Sequence, residues 1–167
     1  VGPGAVVEWD PELTGSVDLE AELGVVIGRT ARRVSEADAL SYVLGYTCVN
    51  DVSARDLQQA DKQFVRAKSL DTFCPMGPAL VTTDDLPDPQ RLAIKGIRNG
   101  VANQDSNTSR MIFGVARIVA FCSRAFTLEP GDVIATGTPA GVLVYQDPPE
   151  RLRDGDAGPN TGGMGAY

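Results

Sequence analysis

The sequence predicts an α+β fold in which β-strands outnumber helices. Two observations indicate the strands: a Val- and Ile-rich run at about 18–28 that ends in glycine, and an Asn99-Gly100 pair between two apolar runs, a strong β-hairpin signal. A third is one long helical pattern, at 107–124, where apolar side chains recur every three or four residues. Because strands dominate with a few helices between them, we expect a curled mixed sheet rather than a doubly wound one.

The first part of the chain is predicted to contain two strands and two helices. Residues 1–16 are rich in Gly and Pro, which is typical of a loop or an edge strand. After the strand at 18–28, SEADALSYVLGY (35–46) predicts a helix with Ser35 as N-cap and Asp38 three residues later, close to a capping box. TCVNDV (47–52) then predicts a short strand, and SARDLQQA (53–60) a short helix capped by Ser53.

The second part begins with a loop, 64–78, that is broken by prolines and leads to a strand at about 79–83. Two strands flank the Asn99-Gly100 turn, and Asn107 or Thr108 can cap the helix that follows at 107–124. Gln104 is interpreted as part of the same hairpin-exit and capping chemistry. LEPGDVIATGTPAGV (128–142) predicts a turn, a buried strand and a loop rich in Gly and Pro.

Composition excludes several classes of function. The 167 residues suffice for one domain with a core, and a net charge of −7 without a basic run argues against nucleic acid or an anionic membrane as a partner. The three cysteines (Cys48, Cys74 and Cys122) are far apart and odd in number, so we expect no disulfide framework and a cytoplasmic location. No stretch has the pattern of a signal peptide or of an apolar membrane span.

The sequence contains no histidine. This removes the commonest general base and the commonest transition-metal ligand, and it excludes every mechanism that needs a His in a catalytic triad. A metal site in this chain would therefore use oxygen ligands. Such ligands favour Mg²⁺, Mn²⁺ or Ca²⁺ over Zn²⁺.

Two glutamates stand two residues apart in the first predicted strand, VDLEAELGVVIG (17–28). Residues i and i+2 of a strand point to the same side, so the carboxylates of Glu20 and Glu22 project together and repel each other unless water, a proton or a cation separates them. One interpretation is a solvent-facing strand surface. The other is a pair of metal ligands, which needs a third oxygen donor from elsewhere in the chain.

A candidate third ligand lies in VNDVSARDLQ (49–58), where Asp51 stands at a strand-to-helix junction. Asp51, Arg55 and Gln58 are spaced i, i+4 and i+7, so they share one face if the segment is helical. An acid, a guanidinium and a carboxamide on one face suit a cation together with a small carboxylate or keto acid. The alternative is a capped surface helix with an ion pair along it.

These segments together resemble the C-terminal catalytic domain of the fumarylacetoacetate hydrolase family. The resemblance is carried by five motifs in the family's order: VDLEAELGVVIG, VNDVSARDLQ, AKSLDTFCPMGP, NGVANQDSNTSRMIF and LEPGDVIATGTPAGV. It covers about residues 1–156, which we expect to form one catalytic domain. The fold that it implies is a strand-rich mixed sheet curled into a roll or distorted barrel with a few helices.

The resemblance also implies which residues form the site. Glu20, Glu22 and Asp51 are the expected ligands of one divalent cation, Mg²⁺ or Mn²⁺ with Ca²⁺ as a further option. Lys68 is expected to be catalytic, as a positive charge near a developing oxyanion. The residues expected to contact the substrate, a small 2-oxo acid or acylpyruvate, are Arg55, Gln58, Lys68 and Thr138. For Lys68 and Thr138, a solvated loop lysine and a plain turn are the alternatives.

Two departures from the family lead to further expectations. Family members usually carry an upstream segment with a histidine, which in the hydrolases supplies or activates the catalytic water. Compared with these members, we expect this chain to lack the N-terminal lid segment. The expected absence argues against hydrolysis and favours isomerisation or decarboxylation. Residues 157–167 (AGPNTGGMGAY) instead resemble a motif of phosphoribosylamine–glycine ligase, so we expect an atypical Gly-rich tail, with a fused or misassembled gene as its origin. A sheet that lost one end would expose an edge, and the family is commonly dimeric, so we expect a homodimer.

Three functional hypotheses follow. The first is a divalent-metal enzyme that acts on an acylpyruvate or on a 2-oxo or 2-hydroxy-dienoic acid in aromatic or keto-acid catabolism, by C–C hydrolysis, isomerisation or decarboxylation. The second is a catalytically impaired remnant or fusion product that still binds metal. The third is a structural domain in which both glutamates are solvated, and it predicts no stabilisation by divalent ions.

Overall fold

The computed structural model describes residues 1–146 and 148–156 of the chain. Three sheets and three short α-helices make up the regular structure of this part, together with four 3₁₀ turns. The strands are β1 (Val17–Asp18), β2 (Ala21–Ile27), β3 (Val43–Asn50), β4 (Ser53–Ala54), β5 (Val81–Thr82), β6 (Ala93–Arg98), β7 (Val101–Asn107) and β8 (Val133–Ala135). The helices are α1 (Arg55–Asp61), α2 (Val65–Lys68) and α3 (Val115–Ala125).

The central sheet has four antiparallel strands in the order β5-β3-β2-β8. Its middle strands are almost completely buried, because they carry Val, Ile and Leu and one of their faces packs against α3. Val115 and Val119 supply the buried side of that helix and reach the core formed by Leu23, Val25 and Ile27. This core fixes β2 and β3, and with them the residues at the site.

A second apolar cluster lies beneath the two short helices that follow β4. Its buried members come from β1, the link between β3 and β4, β4 itself, α1, α2 and the loop before β5: Val17, Val52, Ala54, Leu57, Ala67 and Phe73. Burying Leu57 and Ala67 holds α1 and α2 against β1 and β4. Because Arg55 begins α1 and Lys68 ends α2, this packing also determines where those two cations lie.

The predicted hairpin is confirmed. Strands β6 and β7 pair in antiparallel register on either side of Asn99 and Gly100. Both turn residues have positive φ angles, 51° and 79°, which Asn and Gly adopt more readily than other residues do.

The predicted helix at 35–46 is wrong. Ser35 and Asp38 do form the predicted capping contacts, since Asp38 N–H donates to the Ser35 hydroxyl at 3.2 Å, but only a 3₁₀ turn at Ala39–Tyr42 follows. From Val43 onward the chain is strand β3, because it pairs with β2 along its whole length and with β5 at Gly45. A Cβ on Gly45 would overlap the Val81 carbonyl oxygen, so this pairing needs glycine.

Three other elements, α3, α1 and β8, differ from the predictions. Helix α3 begins at Val115 rather than near 107, and Ile112, which the helical pattern included, is 91% exposed. Asn107 caps a separate 3₁₀ turn by accepting a hydrogen bond from Ser109 N–H. Ser53 belongs to β4 and makes no side-chain cap for α1. Strand β8 is an edge strand with Val133 and Ala135 exposed, so it is not the buried strand that the sequence predicted.

The α+β class with few helices is confirmed, whereas closure into a roll or barrel is not, because the described strands form three separate sheets. The predicted Gly-rich tail at 157–167 lies outside the described residues. No helix in the described part of the chain is long and apolar enough to cross a membrane.

Candidate metal centre and active site

Three carboxylates meet at the N-terminal end of β2. Glu20 precedes this strand and Glu22 is its second residue, and both are buried, at 7% and 3% exposure. Asp51 follows the neighbouring strand β3, and its backbone N–H donates to the Glu20 carbonyl oxygen at 2.9 Å. One carboxylate oxygen from each of the three residues lies within 4.8 Å of the others. The structure thus brings together the three residues that the sequence proposed as metal ligands.

Lys68 places a positive charge between two of these carboxylates. Its Nζ donates to Glu20 Oε2 at 2.8 Å and also to Asp51 Oδ2. Burial lowers the pKa of Lys68, but the hydrogen bonds and charges of the two carboxylates outweigh burial and hold the pKa above its ordinary value. Lys68 is therefore a protonated, fixed cation at neutral pH and cannot act there as a general base.

Arg55 contacts the opposite oxygen of Glu20. Its Nη1 lies 2.6 Å from Glu20 Oε1 and also donates to Gln58 Oε1 at 3.1 Å. On its other edge, Nε donates to Asp18 Oδ2 at 3.0 Å. Burial lowers the pKa of Arg55, but the charges of Glu20 and Asp18 raise it above its ordinary value. Arg55 is 7% exposed, and its guanidinium is held by the protein's own side chains.

Glu22 is held by a backbone donor rather than by a cation. Gly137 N–H donates to Glu22 Oε2 at 2.7 Å, and no Lys or Arg of the described residues forms an ion pair with it. Burial raises the pKa of Glu22 to about 7; the Gly137 hydrogen bond opposes this, and the charges of Asp51 and Glu20 add to it. Burial also raises the pKa of Asp51, against the effect of the Lys68 hydrogen bond.

The loop that carries Gly137 is tied to β2 by side chains. Thr138 donates its hydroxyl to the Ala21 carbonyl oxygen at 3.0 Å and accepts from Gln104 Nε2 at 2.8 Å. Gln104 is fully buried, and its Oε1 accepts from Ala21 N–H at 2.9 Å. Thr138 therefore supports the loop that orients Glu22, and its predicted substrate contact stays a prediction.

The sequence patterns did not single out Asp18, and they predicted hairpin and capping contacts for Gln104 rather than contacts that support the site. Asp18 alternates with Glu20 and Glu22 in VDLEAE, so the same i, i+2 spacing that singled out the glutamates could have included it. Gln104 does not cap a helix but joins the β6-β7 hairpin to β2 and to the loop of Thr138. A lone Gln in a polar strand carries no sequence signal for such a bridge.

A separate cleft of about 1020 Å³ lies beside this site. It is lined by parts of 3–9, 75–78 and 152–156, and Asn50, the residue before Asp51, reaches it. Its lining does not include Glu20, Glu22 or Asp51, which form the one group of three acidic side chains at ligating distance among the described residues. The size of this cleft therefore gives no reason to locate the reaction there rather than at the three carboxylates.

The residues at the three-carboxylate site fit a hard divalent cation. The donors are all carboxylate oxygens, which Mg²⁺, Mn²⁺ and Ca²⁺ prefer. Burial, together with the charges of the neighbouring carboxylates, raises the pKa of Glu22 and of Asp51, so the site disfavours the ionised form of both side chains. An added positive charge would relieve both.

Comparison with known proteins agrees with this geometry. A family model described as fumarylacetoacetate (FAA) hydrolase C-terminal matches residues 1–158. An oxaloacetate tautomerase of Bacillus subtilis is 48% identical over 155 residues, which are 93% of this chain and 52% of that protein. The chain thus spans about half the length of the curated relatives that it matches.

Solved structures give the same relationship. A fumarylacetoacetate hydrolase from psychrophilic Exiguobacterium antarcticum superposes with a TM-score of 0.89 at 47% identity, covering 93% of this chain and 56% of that one. A 5-carboxymethyl-2-hydroxymuconate delta-isomerase from Mycobacterium smegmatis superposes with a TM-score of 0.84 at 44% identity, covering 93% and 57%. At these identities the similarity extends beyond the fold to the sequence itself.

Proposed function

Because the chain belongs to the fumarylacetoacetate hydrolase family, we propose that it is a divalent-cation-dependent enzyme that interconverts the enol and keto forms of a small 2-oxo diacid. In this reaction the enol O–H proton leaves the oxygen and a proton is added to the adjacent carbon, so that C=C becomes C–C and C–O becomes C=O. Atoms and electrons balance without a redox partner.

The observation that carries the proposal is the convergence of Glu20, Glu22 and Asp51 with Lys68 between two of them. We propose that the three carboxylates hold Mg²⁺ or Mn²⁺, with Ca²⁺ as a further option. When bound there, a divalent cation supplies Lewis-acid polarisation of the substrate's carbonyl oxygen. The protein's own contribution is the fixed arrangement of charge around that oxygen.

Lys68 is the residue proposed to act on the reacting atoms. Its ammonium is held between Glu20 and Asp51, so it stays protonated and stabilises negative charge on the enolate oxygen. Arg55 is bound to Asp18 and Glu20, so we assign it first to the geometry of Glu20. Gln58 and Thr138 remain proposed substrate contacts. The proposed substrate contact of Gln58 is supported by its hydrogen bond with Arg55, which places the Gln58 side chain next to the three-carboxylate site.

Isomerisation is favoured over the other two reactions because the matched relatives include proteins named as a tautomerase and as a delta-isomerase. A 2-oxo diacid is favoured as substrate because a carboxylate and a carbonyl oxygen suit a divalent cation that lies beside the fixed positive charge of Lys68. Acylpyruvates and hydroxydienoic acids, in aromatic or keto-acid catabolism, are the other members of the proposed substrate range.

The test is a spectrophotometric assay of enol-to-keto conversion of oxaloacetate, run with Mn²⁺, with Mg²⁺ and with EDTA. We expect activity with either metal, little with EDTA, and a loss of about 10²-fold or more in kcat for Lys68→Met. Lys95→Met is the matched control, because Lys95 forms an exposed pair with Asp105 away from the site. Hydrolysis of an acylpyruvate and decarboxylation of oxaloacetate are followed in parallel.

The possible outcomes separate the hypotheses. Hydrolysis or decarboxylation without tautomerisation would refute the proposed reaction while keeping the proposed site. Metal binding with no turnover of any of the three kinds would identify the chain as a catalytically impaired member of the family. Equal activity of Lys68→Met and Lys95→Met would refute the role given to Lys68.

The assembly and the domain are also proposals. We propose that 1–156 forms one catalytic domain whose sheets belong to a larger curled roll, and that the protein is a cytoplasmic homodimer. The dimer is supported by exposed apolar side chains on and just before α3, with Ile112, Phe113 and Phe121 at 91%, 52% and 73% exposure. Sedimentation equilibrium tests it, and a monomer at micromolar concentration would refute it.

A further inference from the structure

Asp18 is a buried carboxylate that lies outside the proposed ligand set. It is 1% exposed, and its two oxygens receive hydrogen bonds from several parts of the chain. Oδ1 accepts from the backbone N–H of Leu19 and of Leu143, each at 2.8 Å, and Oδ2 accepts from Val144 N–H at 3.2 Å. Burying a charge is costly unless it is paired and hydrogen-bonded, and here it is both.

The partner of that charge is Arg55, which links Asp18 to Glu20. One edge of the guanidinium faces Asp18, with Nε and Nη2 at 3.0 and 2.9 Å from Oδ2. Nη1, on the far side, lies 2.6 Å from Glu20 Oε1. Because the guanidinium is planar and rigid, holding one edge on Asp18 fixes where Nη1 meets Glu20.

Glu20 is consequently held at both oxygens. Arg55 contacts Oε1, and Lys68 contacts Oε2 at 2.8 Å. A carboxylate with a donor on each oxygen cannot rotate about its Cγ–Cδ bond without breaking one of these contacts. The orientation of this proposed ligand therefore depends on a residue that does not itself reach the three-carboxylate cluster.

We propose that Asp18 is a positioning residue, which through Arg55 fixes the carboxylate plane of Glu20 and so raises the affinity of the three-carboxylate site for a divalent cation. This rests on the proposed function, since it presupposes that the site binds a cation. Residues that hold metal ligands in place contribute about 10- to 100-fold in metal affinity in other proteins. Asp18 also joins the 3₁₀ turn at Leu143–Tyr145 to the site, because Leu143 and Val144 donate to the same carboxylate.

The experiment is a titration of the metal-free full chain with Mn²⁺, followed by calorimetry and by electron paramagnetic resonance. The variant is Asp18→Asn, which keeps the shape and one carbonyl oxygen for the Leu19 and Leu143 N–H groups but removes the charge facing Arg55. We expect the Kd for Mn²⁺ to rise by about 10- to 100-fold. We also expect the resonance spectrum of bound Mn²⁺ to change, which a general loss of stability would not cause.

Asp56→Asn is the matched control. Asp56 lies on α1 next to Arg55 and accepts from the Thr14 hydroxyl at 2.5 Å and from Gly15 N–H at 2.9 Å, so it also ties the helix to the preceding segment. Within the described residues Asp56 forms no ion pair with Arg55 or Lys68, the two cations that contact Glu20. We expect Asp56→Asn to lower the unfolding temperature and to leave the Kd for Mn²⁺ unchanged.

The outcomes distinguish this inference from the proposed function. If the wild-type chain binds no Mn²⁺, the proposed metal site itself is refuted. If the wild type binds Mn²⁺ and folded Asp18→Asn binds it equally well, only the role of Asp18 is overturned. Should Asp18→Asn fail to fold, Arg55→Lys decides, because a lysine keeps the charge but lacks the rigid, planar guanidinium that binds Asp18 on one edge and Glu20 on the other. Wild-type Mn²⁺ affinity in Arg55→Lys would overturn the inference, and a weakening of 10-fold or more would support it.

Discussion

Raising the pH should destabilise the metal-free protein through Glu22. The pKa of this residue is raised to about 7 in the folded chain from an ordinary value of 4.5, chiefly by burial. The folded state therefore binds more protons than the unfolded state between these two values. Stability is then fully present below about pH 4.5 and is lost as the pH rises through about 7.

The size of the effect follows from the difference between the two pKa values. Each unit is worth about 1.4 kcal/mol, so most of a total of roughly 3 kcal/mol is lost between about pH 5 and pH 8. For a chain of this length, this lowers the unfolding temperature by about 5–10 °C. Asp51, whose pKa burial also raises, acts in the same direction, and the sequence has no histidine that would titrate in this interval.

The assay is thermal unfolding of the EDTA-treated chain across this pH interval, compared with Glu22→Gln. Glutamine preserves the size of the side chain and an oxygen for the Gly137 N–H group, but it does not titrate. We expect the decline to be largely absent in the variant. An equally steep decline in Glu22→Gln, or a flat profile in the wild type, would refute the assignment of a raised pKa to Glu22.

Three further predictions concern the site and its supports. Mn²⁺ at a hundredfold excess over Kd should stabilise the wild type by about 2.7 kcal/mol, and thermal unfolding should show no such gain in Glu20→Gln or Asp51→Asn. Gly137→Ala should weaken Mn²⁺ binding, measured by calorimetry, by several-fold. Gly137 has a φ of 95°, so an alanine there would displace the N–H group that holds Glu22. Wild-type affinity for Mn²⁺ in this variant would contradict the prediction. Gln104→Leu should cost about 1–3 kcal/mol in urea unfolding, because it leaves the buried Ala21 N–H without its acceptor, and a loss below 0.5 kcal/mol would count against that role.

Local sequence patterns predicted those elements whose determinants lie within a few residues. The hairpin was found because Asn99 and Gly100 themselves adopt the required φ angles. The helix predicted at 35–46 does not form, although the predicted cap at Ser35 does, because residues 43–50 form a strand that pairs with β2 and β5. That pairing joins segments distant in sequence, and tertiary contacts of this kind override helix propensity.

The same distinction holds at the site. The period of a strand puts Glu20 and Glu22 on one side, and the junction after β3 places Asp51 nearby, so their meeting was predictable. The partners of Arg55 were not, because its helix could have turned the guanidinium toward solvent or substrate. Only the packing of α1 against β1 and β4 brings it onto Asp18.

The charges of the site suggest why a divalent ion suits it and how a proton takes its place. Four carboxylates, from Asp18, Glu20, Glu22 and Asp51, face two cations, from Arg55 and Lys68, which leaves two negative charges unbalanced. A divalent cation would balance both. In the metal-free chain, protonation of Glu22 removes one of them, because burial, with a smaller effect from the charges of Asp51 and Glu20, raises the pKa of Glu22 to about 7. Mn²⁺ binding should then release close to one proton at about pH 6 and almost none above about pH 8.5, because the ligand must be ionised to bind. Calorimetry in buffers of different ionisation enthalpy measures this number directly, and a release that does not change with pH would refute the prediction that Glu22 is a ligand which is protonated in the metal-free chain.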